Sequence, residues 1–427
     1  MNRNASLFRN ALFAALAVMF FTAALPAFAV SGTDSYILKS VLEISGTIRS
    51  EFYAGVSEKT LFEGAMSEIS KKFDTGGVGA VSNEREFSSA FLSLLSRHGQ
   101  SKGDIGELAV RGMIKSLDDP YSLFLDTRQW DYFRRVSAGE EFTGIGVELA
   151  KKNGAFVIVS PVEGGSEALA GIRPGDVIVK AAGRNVSGMD DMDVLALFDG
   201  RPGTFMTLTV RRGSALKEFK VKRTVLSLKA PSASILKSGT AAGYLRISYF
   251  SEKTDSEAAA LMERMRKAGV KNLIIDLRNN PGGEFKSSVS LASMFAGRKT
   301  IVTKVMNGGK SSRVKGPGDA RFSFRTVILV NKGTASASEV FSGAMQDYGL
   351  ARLVGERSFG KALIQSVYSL PGNAGCKITT ARYYTAKERD ILNRGLDPDT
   401  VVNDAYPRAK ASEDPCVRAA LRLFSGK

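Results

Sequence analysis

One serine and one lysine in this sequence can be combined into a hydrolytic site. Ser336 follows the short apolar segment TVILV and precedes apolar residues at helical spacing, so it lies where a strand turns into a helix. The stretch Ser336-Ala337-Ser338-Glu339 also has the Ser-x-x-Glu pattern of a capping box, which satisfies backbone N–H groups at a helix start. The local sequence therefore leaves two interpretations of Ser336 open, a helix cap and a nucleophile.

The histidine content limits the mechanisms that such a serine can use. His98 is the single histidine, in SLLSRHGQ, which has the character of a polar helix end. A Ser-His-Asp or Cys-His hydrolase would have to use this ring, and we expect His98 to be solvated or capping instead. With two cysteines besides, the chain lacks the about four ligands of a structural zinc site. We expect no metal and no other cofactor.

Lys361 is the candidate base for the serine. A lysine side chain ordinarily titrates near pH ~10.4 and accepts a proton only when burial keeps it neutral. Lys361 lies in GERSFGKALIQ between apolar residues, where a buried charge is costly; the alternative is a surface lysine at a strand edge. The helix start at Ala337 and the glycine turn at Gly282 and Gly283 can offer N–H groups to an oxyanion.

The first 29 residues differ from the rest of the chain. Two arginines precede the apolar run ALFAALAVMFFTAAL, and Ala-x-Ala ends at Ala29. This pattern predicts a secretory signal peptide over 1–29, and the alternative is an uncleaved membrane anchor. Export would place the protein in the periplasm or the cell envelope.

The mature chain divides into regions of different periodicity. Apolar residues recur at helical spacing over 30–137, short strands with two helices fill 138–226, and strands alternate with helices over 227–427. The predicted fold class is α/β, with a helical N-terminal region, a small β-rich domain, and an α/β core that has a mostly parallel, covered sheet and a C-terminal helix.

The chain is basic, with a net charge of +16 that falls to +14 without the two signal-peptide arginines. Its lysines and arginines are scattered, with no run of five or six like charges and no nucleic-acid module. We therefore interpret the charge as a basic exported surface and expect no nucleic-acid partner.

The order of elements in 138–226 resembles a PDZ domain. TGIGV stands where that family has its carboxylate-binding loop, and GIRPGDVIV follows at the matching distance. The resemblance implies that backbone N–H groups of Ile145, Gly146 and Val147 hold a peptide's terminal carboxylate while the peptide pairs as an added strand. For the two glycines alone, an ordinary turn is the alternative.

DLRNNPGG, NKGTASASEVFSGAMQDYG and GERSFGKALIQ, in this order after a PDZ domain, resemble the C-terminal processing (tail-specific) serine proteases. The resemblance implies that Ser336 is the nucleophile and Lys361 the general base. Gln365, one helix-like step of four beyond Lys361, would orient it, and Gly282 and Ala337 would form the oxyanion hole. Supporting positions would be Gly283, Glu339 and Asp347. The turn DDPYS replaces a shorter Asp-Pro turn, which we expect to matter only to the helical region.

The resemblance implies an exported endopeptidase that binds protein C-terminal tails and cleaves them through an acyl-enzyme. One alternative is a non-catalytic PDZ scaffold on an inactive protease core, and another is an esterase, although no Gly-x-Ser-x-Gly elbow is present. The need for an adaptor protein and self-association through the helical region are left open.

Cys376 and Cys416 are the two cysteines of the chain. Because an oxidising compartment favours pairing of a lone pair of cysteines, we expect a disulfide that pins the terminal helix, starting near Pro415, onto the core. The alternative is two unpaired cysteines packed as small apolar side chains.

Overall fold

A computed structural model describes residues 18–20, 34–76, 81–137, 142–152, 154–161, 171–189, 191–226, 230–236, 241–403 and 413–426. Most of the predicted signal peptide lies outside these ranges; the described part is Val18–Phe20, which forms strand β1. Among the described residues, no helix is both long enough and apolar enough to cross a membrane.

The N-terminal region is mostly helical, as predicted. Its elements are α1 (Asp34–Glu51), α2 (Glu58–Ser70), α3 (Glu84–Arg97), α4 (Lys102–Lys115), β2 (Leu123–Leu125) and α5 (Thr127–Ser137). Ser57 and Asn83 cap α2 and α3 with their side chains, and Phe62 stacks on Phe87 with ring centroids 4.4 Å apart. Strand β2 was not predicted.

The next region is a small antiparallel domain. Its elements are β3 (Phe142–Gly144), β4 (Val147–Lys152), β5 (Ala155–Pro161), β6 (Val177–Ala181), β7 (Arg184–Asn185), α6 (Asp191–Phe198), β8 (Phe205–Arg212), β9 (Ala215–Lys222) and β10 (Thr224–Leu226). The main sheet has the order β4-β5-β6-β8-β9. One of the two helices predicted for this region, in PVEGGSEALAG, falls mainly on 162–170, outside the described residues.

The rest of the chain forms the core, in which strands and helices alternate at first. Its elements are β11 (Ser232–Leu236), β12 (Ala242–Arg246), α7 (Thr254–Lys267), β13 (Asn272–Asp276), α8 (Phe285–Ala296), β14 (Thr300–Val305), β15 (Ser311–Lys315), β16 (Arg325–Val330), α9 (Ala337–Asp347), β17 (Ala351–Gly355), β18 (Leu363–Leu370), β19 (Ala374–Thr385), β20 (Thr400–Val401) and α10 (Pro415–Ser425).

One sheet of the core is the predicted parallel one. It has the order β11-β12-β13-β16-β17-β20, and from β12 onward all neighbours are parallel. Helices α7, α8 and α9 contribute to the apolar cluster on one face, and α10 covers the other. Strand β13 reads as a nearly continuous apolar run because the sheet is buried on both faces.

The core also has a second, mostly antiparallel sheet that the sequence did not predict. Its order is β1-β18-β19-β14-β15, in which β1 runs parallel to β18 and the other neighbours are antiparallel. Strand β2 of the helical region also pairs with β19. Residues of β18 and β19 contribute to the main cluster of the core and also to the cluster of the N-terminal helices. A strand buried on both faces lacks the alternation that identifies an antiparallel strand in a sequence.

The predicted disulfide is wrong. Cys376 and Cys416 are both free and buried, Cys376 among residues packed on the N-terminal helices and Cys416 beneath α10 on the parallel sheet. Burial raises the pKa of the Cys376 thiol to about 12. Helix α10 is held by Asp414, whose carboxylate accepts hydrogen bonds from Cys416 N and Val417 N and from the buried guanidinium of Arg278.

Candidate active site

Ser336 lies at the turn between β16 and α9, as the N-cap of the helix. Its backbone has φ 53° and ψ −119°, a region that non-glycine residues rarely adopt and that costs about 1 to 3 kcal/mol. The Oγ atom is buried and makes no hydrogen bond within the described part of the chain. A strained backbone that presents an uncommitted hydroxyl is more than a helix cap requires.

The strain at Ser336 is maintained by hydrogen bonds on both sides of the residue. Its N–H donates to Glu339 Oε2 at 3.0 Å, and its carbonyl accepts from Glu339 N at 2.7 Å and Val340 N at 3.0 Å. The hydroxyl of Tyr383 also contacts that carbonyl, at 3.1 Å. The hydroxyl of the nearby Ser338, by contrast, is engaged, since it donates to the Asn280 carbonyl.

The glycine turn after β13 lies against Ser336. A Cβ atom at Gly282 would come within 2.8 Å of Ser336 Cβ and 2.9 Å of Ala337 N, and the φ of Gly282 is 110°. Its N–H donates to Asn280 Oδ1 at 2.9 Å, so an oxyanion would have to share or replace that acceptor. A Cβ at Gly283 would collide with the Phe250 carbonyl. Ala337 N is the first N–H of α9, without an intrahelical acceptor.

Lys361 precedes β18 in the antiparallel sheet and is 7% exposed. Its Nζ atom lies 5.0 Å from the centroid of the Tyr121 ring. Its carbonyl accepts a hydrogen bond from the Tyr383 hydroxyl at 2.8 Å, the same hydroxyl that contacts the Ser336 carbonyl. The backbones at the two predicted dyad positions are therefore held together by one tyrosine.

Glu339 provides a second connection between these two positions. Its fully buried carboxylate accepts from Ser336 N, from Gly360 N at 2.7 Å, from Lys361 N at 2.8 Å and from Ser358 Oγ at 2.5 Å. Burial raises the pKa of Glu339, and these four hydrogen bonds act in the opposite direction. The side chain lies at the supporting position that we predicted and joins the serine loop to the lysine loop.

Gln365 lies in β18, so the helix-like step from Lys361 that we predicted is wrong. Its amide is fully buried, with Nε2 3.4 Å from Thr379 Oγ1 and Oε1 without a partner within the described residues. Thr379 Oγ1 in turn donates to Asp119 Oδ2 at 2.5 Å. To orient Lys361, the Gln365 amide would therefore have to reach it along a strand, in which each residue advances about 3.3 Å, and not across one helical turn.

The turn DDPYS contacts this site, so the prediction that it matters only to the helical region is also wrong. Tyr121 lies beneath Lys361, Ser122 Oγ accepts from Thr379 N at 3.0 Å, and Asp119 accepts from Thr379 Oγ1. Strand β2, which follows the turn, pairs with β19 and brings it there. Sequence spacing cannot indicate such a contact.

Two other residues considered in the sequence lie away from Ser336 and Lys361. Asp347 is at the opposite end of α9, about 16 Å along the helix at 1.5 Å per residue. It accepts from Lys387 N at 2.7 Å and pairs with Arg389 at 2.6 Å, so it supports the turn after β19. His98 ends α3 and contacts Asp74 O and the Phe73 ring, within the helical region.

The loop predicted to bind a carboxylate leads into strand β4, whose partner β5 contacts the turn after β13. Ile145 is buried, Gly146 has φ 78°, and Val147 pairs with Pro161 at the end of β5. In the described part of the domain, β4 has one neighbour, β5, so its other edge is open to an added strand. Ser160 in β5 donates to the Asn279 carbonyl at 2.8 Å.

Sequence reasoning missed Tyr383, Tyr121 and Asn280, which contact the predicted site residues, and Asp119, which contacts the Thr379 hydroxyl beside Gln365. Asn280 was detectable in principle because it stands inside the quoted motif DLRNNPGG. Tyr383 and Tyr121 read as ordinary aromatic residues in a strand and a turn, and their contacts depend on tertiary structure.

The geometry agrees with matches to known families. The family model for peptidase family S41 matches residues 241–402, and the PDZ domain model matches residues 143–222. The chain thus combines a PDZ domain with a peptidase domain of this family, in the predicted order. Residues 241–402 are therefore similar to peptidase family S41, and residues 143–222, which precede them, are similar to a PDZ domain.

Individual relatives give the same assignment. Two proteins described as "Probable CtpA-like serine protease", from Staphylococcus haemolyticus and Staphylococcus aureus, are each 35% identical, over 306 and 307 residues. The matches cover 71% of this chain and 61% of each relative's length. A solved structure titled photosystem II D1 C-terminal processing protease is similar with a TM-score of 0.70 and 28% identity, covering 88% of this chain and 95% of that one.

Proposed function

We propose that this chain is a serine endopeptidase with Ser336 as its nucleophile and Lys361 as its general base. One observation carries the proposal: the Glu339 carboxylate and the Tyr383 hydroxyl each contact the backbone of both residues. Two side chains thus fix the loop of Ser336 relative to the loop of Lys361, although the two loops belong to different sheets. Such fixed positions are required if the serine and lysine side chains react together.

The reaction would run through an acyl-enzyme. Ser336 Oγ attacks the peptide carbonyl carbon while its proton passes to the lone pair of Lys361 Nζ. The negative charge that develops on the carbonyl oxygen would be stabilised by Ala337 N–H at the start of α9 and by Gly282 N–H. Lys361 then gives its proton to the departing amine, and water hydrolyses the ester by the reverse sequence of proton transfers.

The PDZ domain would select substrates by their C-terminal tails. A tail that pairs with the open edge of β4 would place its carboxylate at the N–H groups of Ile145, Gly146 and Val147. The partner strand β5 packs on the catalytic loops, since Val159 contacts Ala335 and Ser160 bonds Asn279. Strands β4 and β5 would therefore lie between a bound tail and the loop that carries the reacting serine.

The signal-peptide pattern supports export to the periplasm or cell envelope, where the substrates would be other exported proteins. The proposed reaction requires neither an adaptor protein nor self-association through the N-terminal helices. Mass spectrometry of exported proteins that accumulate in cells carrying Ser336→Ala would identify the substrates. Their tails would also show which C-terminal residues the PDZ domain accepts.

The dyad is tested by separate and combined substitution. Ser336→Ala and Lys361→Ala should each abolish cleavage of a protein with an apolar C-terminus, and the double variant should lose no more than either one. His98→Ala is the control and should retain activity, because His98 contacts residues of the helical region. An active Lys361→Ala variant together with an inactive His98→Ala variant would refute the assignment.

Tail binding is tested with matched peptides. Amidation of the terminal carboxylate, or a terminal Asp, should weaken binding to the PDZ domain and slow cleavage. Equal cleavage of amidated and free-acid peptides would reject the docking role. If the wild-type protein binds tails without cleaving any peptide or protein, it is the scaffold, and turnover of p-nitrophenyl esters alone would indicate the esterase.

A further inference from the structure

The turn before β2 brings an aromatic ring to the proposed base. Tyr121 lies with its ring centroid 5.0 Å from Lys361 Nζ. We infer that the face of this ring stabilises the ammonium that Lys361 becomes when it takes the proton of Ser336, which would make Tyr121 a catalytic residue. The inference rests on the proposed Ser336–Lys361 dyad.

Tyr121 is held in this position by contacts with each part of the molecule. Its ring packs in a small apolar cluster with Val159 of the PDZ domain and with Ala335 and Phe359, which precede the serine and the lysine. The turn itself is anchored by Ser122, which accepts from Thr379 N at 3.0 Å and donates to Asp119 at 2.5 Å. The ring is therefore a fixed part of the site.

A fixed aromatic face distinguishes the two protonation states of the lysine. The π face carries partial negative charge and attracts an ammonium, whereas a neutral amine gains little from it. The proton that Ser336 Oγ releases becomes the third hydrogen on Nζ as Oγ bonds to the substrate carbon. The ring thus stabilises the transition state more than the ground state, and only such a difference accelerates a reaction.

The phenol keeps its proton while the base works. Burial raises the pKa of Tyr121 to about 12, and the carboxylates of Asp119 and Glu339 act in the same direction. Tyr383, whose pKa burial also raises, is a further titratable group beside Tyr121. The ring therefore acts through its neutral face over the pH range in which a peptidase would be assayed.

The test compares two substitutions of Tyr121 in the full-length enzyme, with an internally quenched peptide as substrate. Tyr121→Leu, which removes the ring, should lower the plateau of kcat/KM between about 2-fold and 30-fold. The acid limb of its pH profile should move to lower pH, because the ring favours the protonated base. At pH values below that acid limb, the difference in kcat/KM between Tyr121→Leu and the wild type should therefore become smaller. Tyr121→Phe, which retains the ring, should lose less and keep the wild-type limb.

Val159→Ala is the matched control, because it loosens the same cluster without removing the ring. Lost packing alone should lower kcat/KM by the same factor at every pH. If Tyr121→Leu shows that uniform loss, or Tyr121→Phe is impaired equally, the inference fails while inactive Ser336→Ala and Lys361→Ala variants leave the dyad intact. If Lys361→Ala retains activity, the dyad fails and the inference with it. Thermal melting of each variant identifies loss of fold.

Discussion

The serine and lysine regions of the site are built in different ways. Ser336 belongs to one continuous strand–turn–helix unit, β16 to α9, at the end of the parallel sheet. Lys361 precedes a strand of the antiparallel sheet, and its surroundings include Tyr121 from the N-terminal region and Tyr383 from β19. The serine region is local in sequence, whereas the lysine region is assembled from distant segments.

This difference indicates where the site is vulnerable. A strand–turn–helix unit forms from short-range interactions, and three of the four hydrogen bonds described at its strained serine join residues three or four positions apart. The fourth comes from Tyr383. The lysine region needs the helical region, β18 and β19 to be packed together before Lys361 has its neighbours. Glu339 and Tyr383 are the residues that join the two regions.

Removing the main connection between the two regions should have the largest effect. Glu339→Ala leaves the buried N–H groups of Ser336, Gly360 and Lys361 without their acceptor. We expect kcat/KM to fall at least about 1000-fold and the free energy of unfolding to fall by roughly 3 to 5 kcal/mol. Urea unfolding and peptide cleavage measure both. Glu339→Gln, which keeps an acceptor, should lose less; equal losses would contradict the hydrogen-bond explanation.

The serine region also depends on the C-terminal helix through Arg278, which follows β13. Asp414→Ala removes one carboxylate from this fully buried guanidinium and the N-cap of α10. We expect the free energy of unfolding to fall by about 3 to 5 kcal/mol, measured by urea denaturation. Asp414→Asn keeps a capping oxygen and separates the cap from the charge. If Asp414→Ala lowers the free energy of unfolding by only about 1 kcal/mol, the amount expected for a lost N-cap, the ion pair contributes little.

A smaller change tests the close packing of the serine region. Gly282→Ala would place a methyl group against Ser336 Cβ and Ala337 N at a φ of 110°. We expect kcat/KM to fall about 100-fold, similar to the loss of an oxyanion donor. Gly297→Ala is the control, since that glycine also has a positive φ but its nearest neighbour would be 3.5 Å from the added methyl. Similar activity losses in both variants would point to backbone strain alone.

The lysine region should show a milder loss when its support is removed. Asp119→Ala takes the acceptor from Thr379 Oγ1 and Ser122 Oγ, and Thr379 is the contact of the Gln365 amide. We expect about a 10-fold decrease in kcat, with a loss of roughly 1.5 to 3 kcal/mol in unfolding free energy. Asp118→Asn, at the exposed neighbouring position, is the control. A purely structural role would lower stability without changing kcat of the folded fraction.

The cysteines should contribute no measurable redox effect. Because Cys376 and Cys416 lie in separate cores, a reductant should leave the melting temperature unchanged. Alkylation of the denatured protein without reductant should add two alkyl groups, measured by intact mass. A protein that takes up none would restore the predicted disulfide.

The serine region could be predicted in detail because its signals are local. Each signal is contained in a segment of about ten residues or fewer: the apolar strand, the Ser-x-x-Glu pattern at Ser336, and the glycine turn at Gly282. The structure places these segments together. For the lysine region, the sequence predicted only the position of the candidate base, Lys361. It did not predict the strand that holds Gln365 or the ring of Tyr121 beside the amine.

The sequence by itself determined the order of regions, the parallel sheet and the choice of Ser336 and Lys361 as the proposed dyad, because periodicity, turn residues and motif spacing are properties of short segments. Only the tertiary structure decided that a second sheet presents the lysine and that the cysteines stay apart. It also decided that Tyr121, 240 residues before Lys361, lies beneath it. Pairing between distant strands follows from burial of shared apolar surface, and that surface is defined only once the chain is packed.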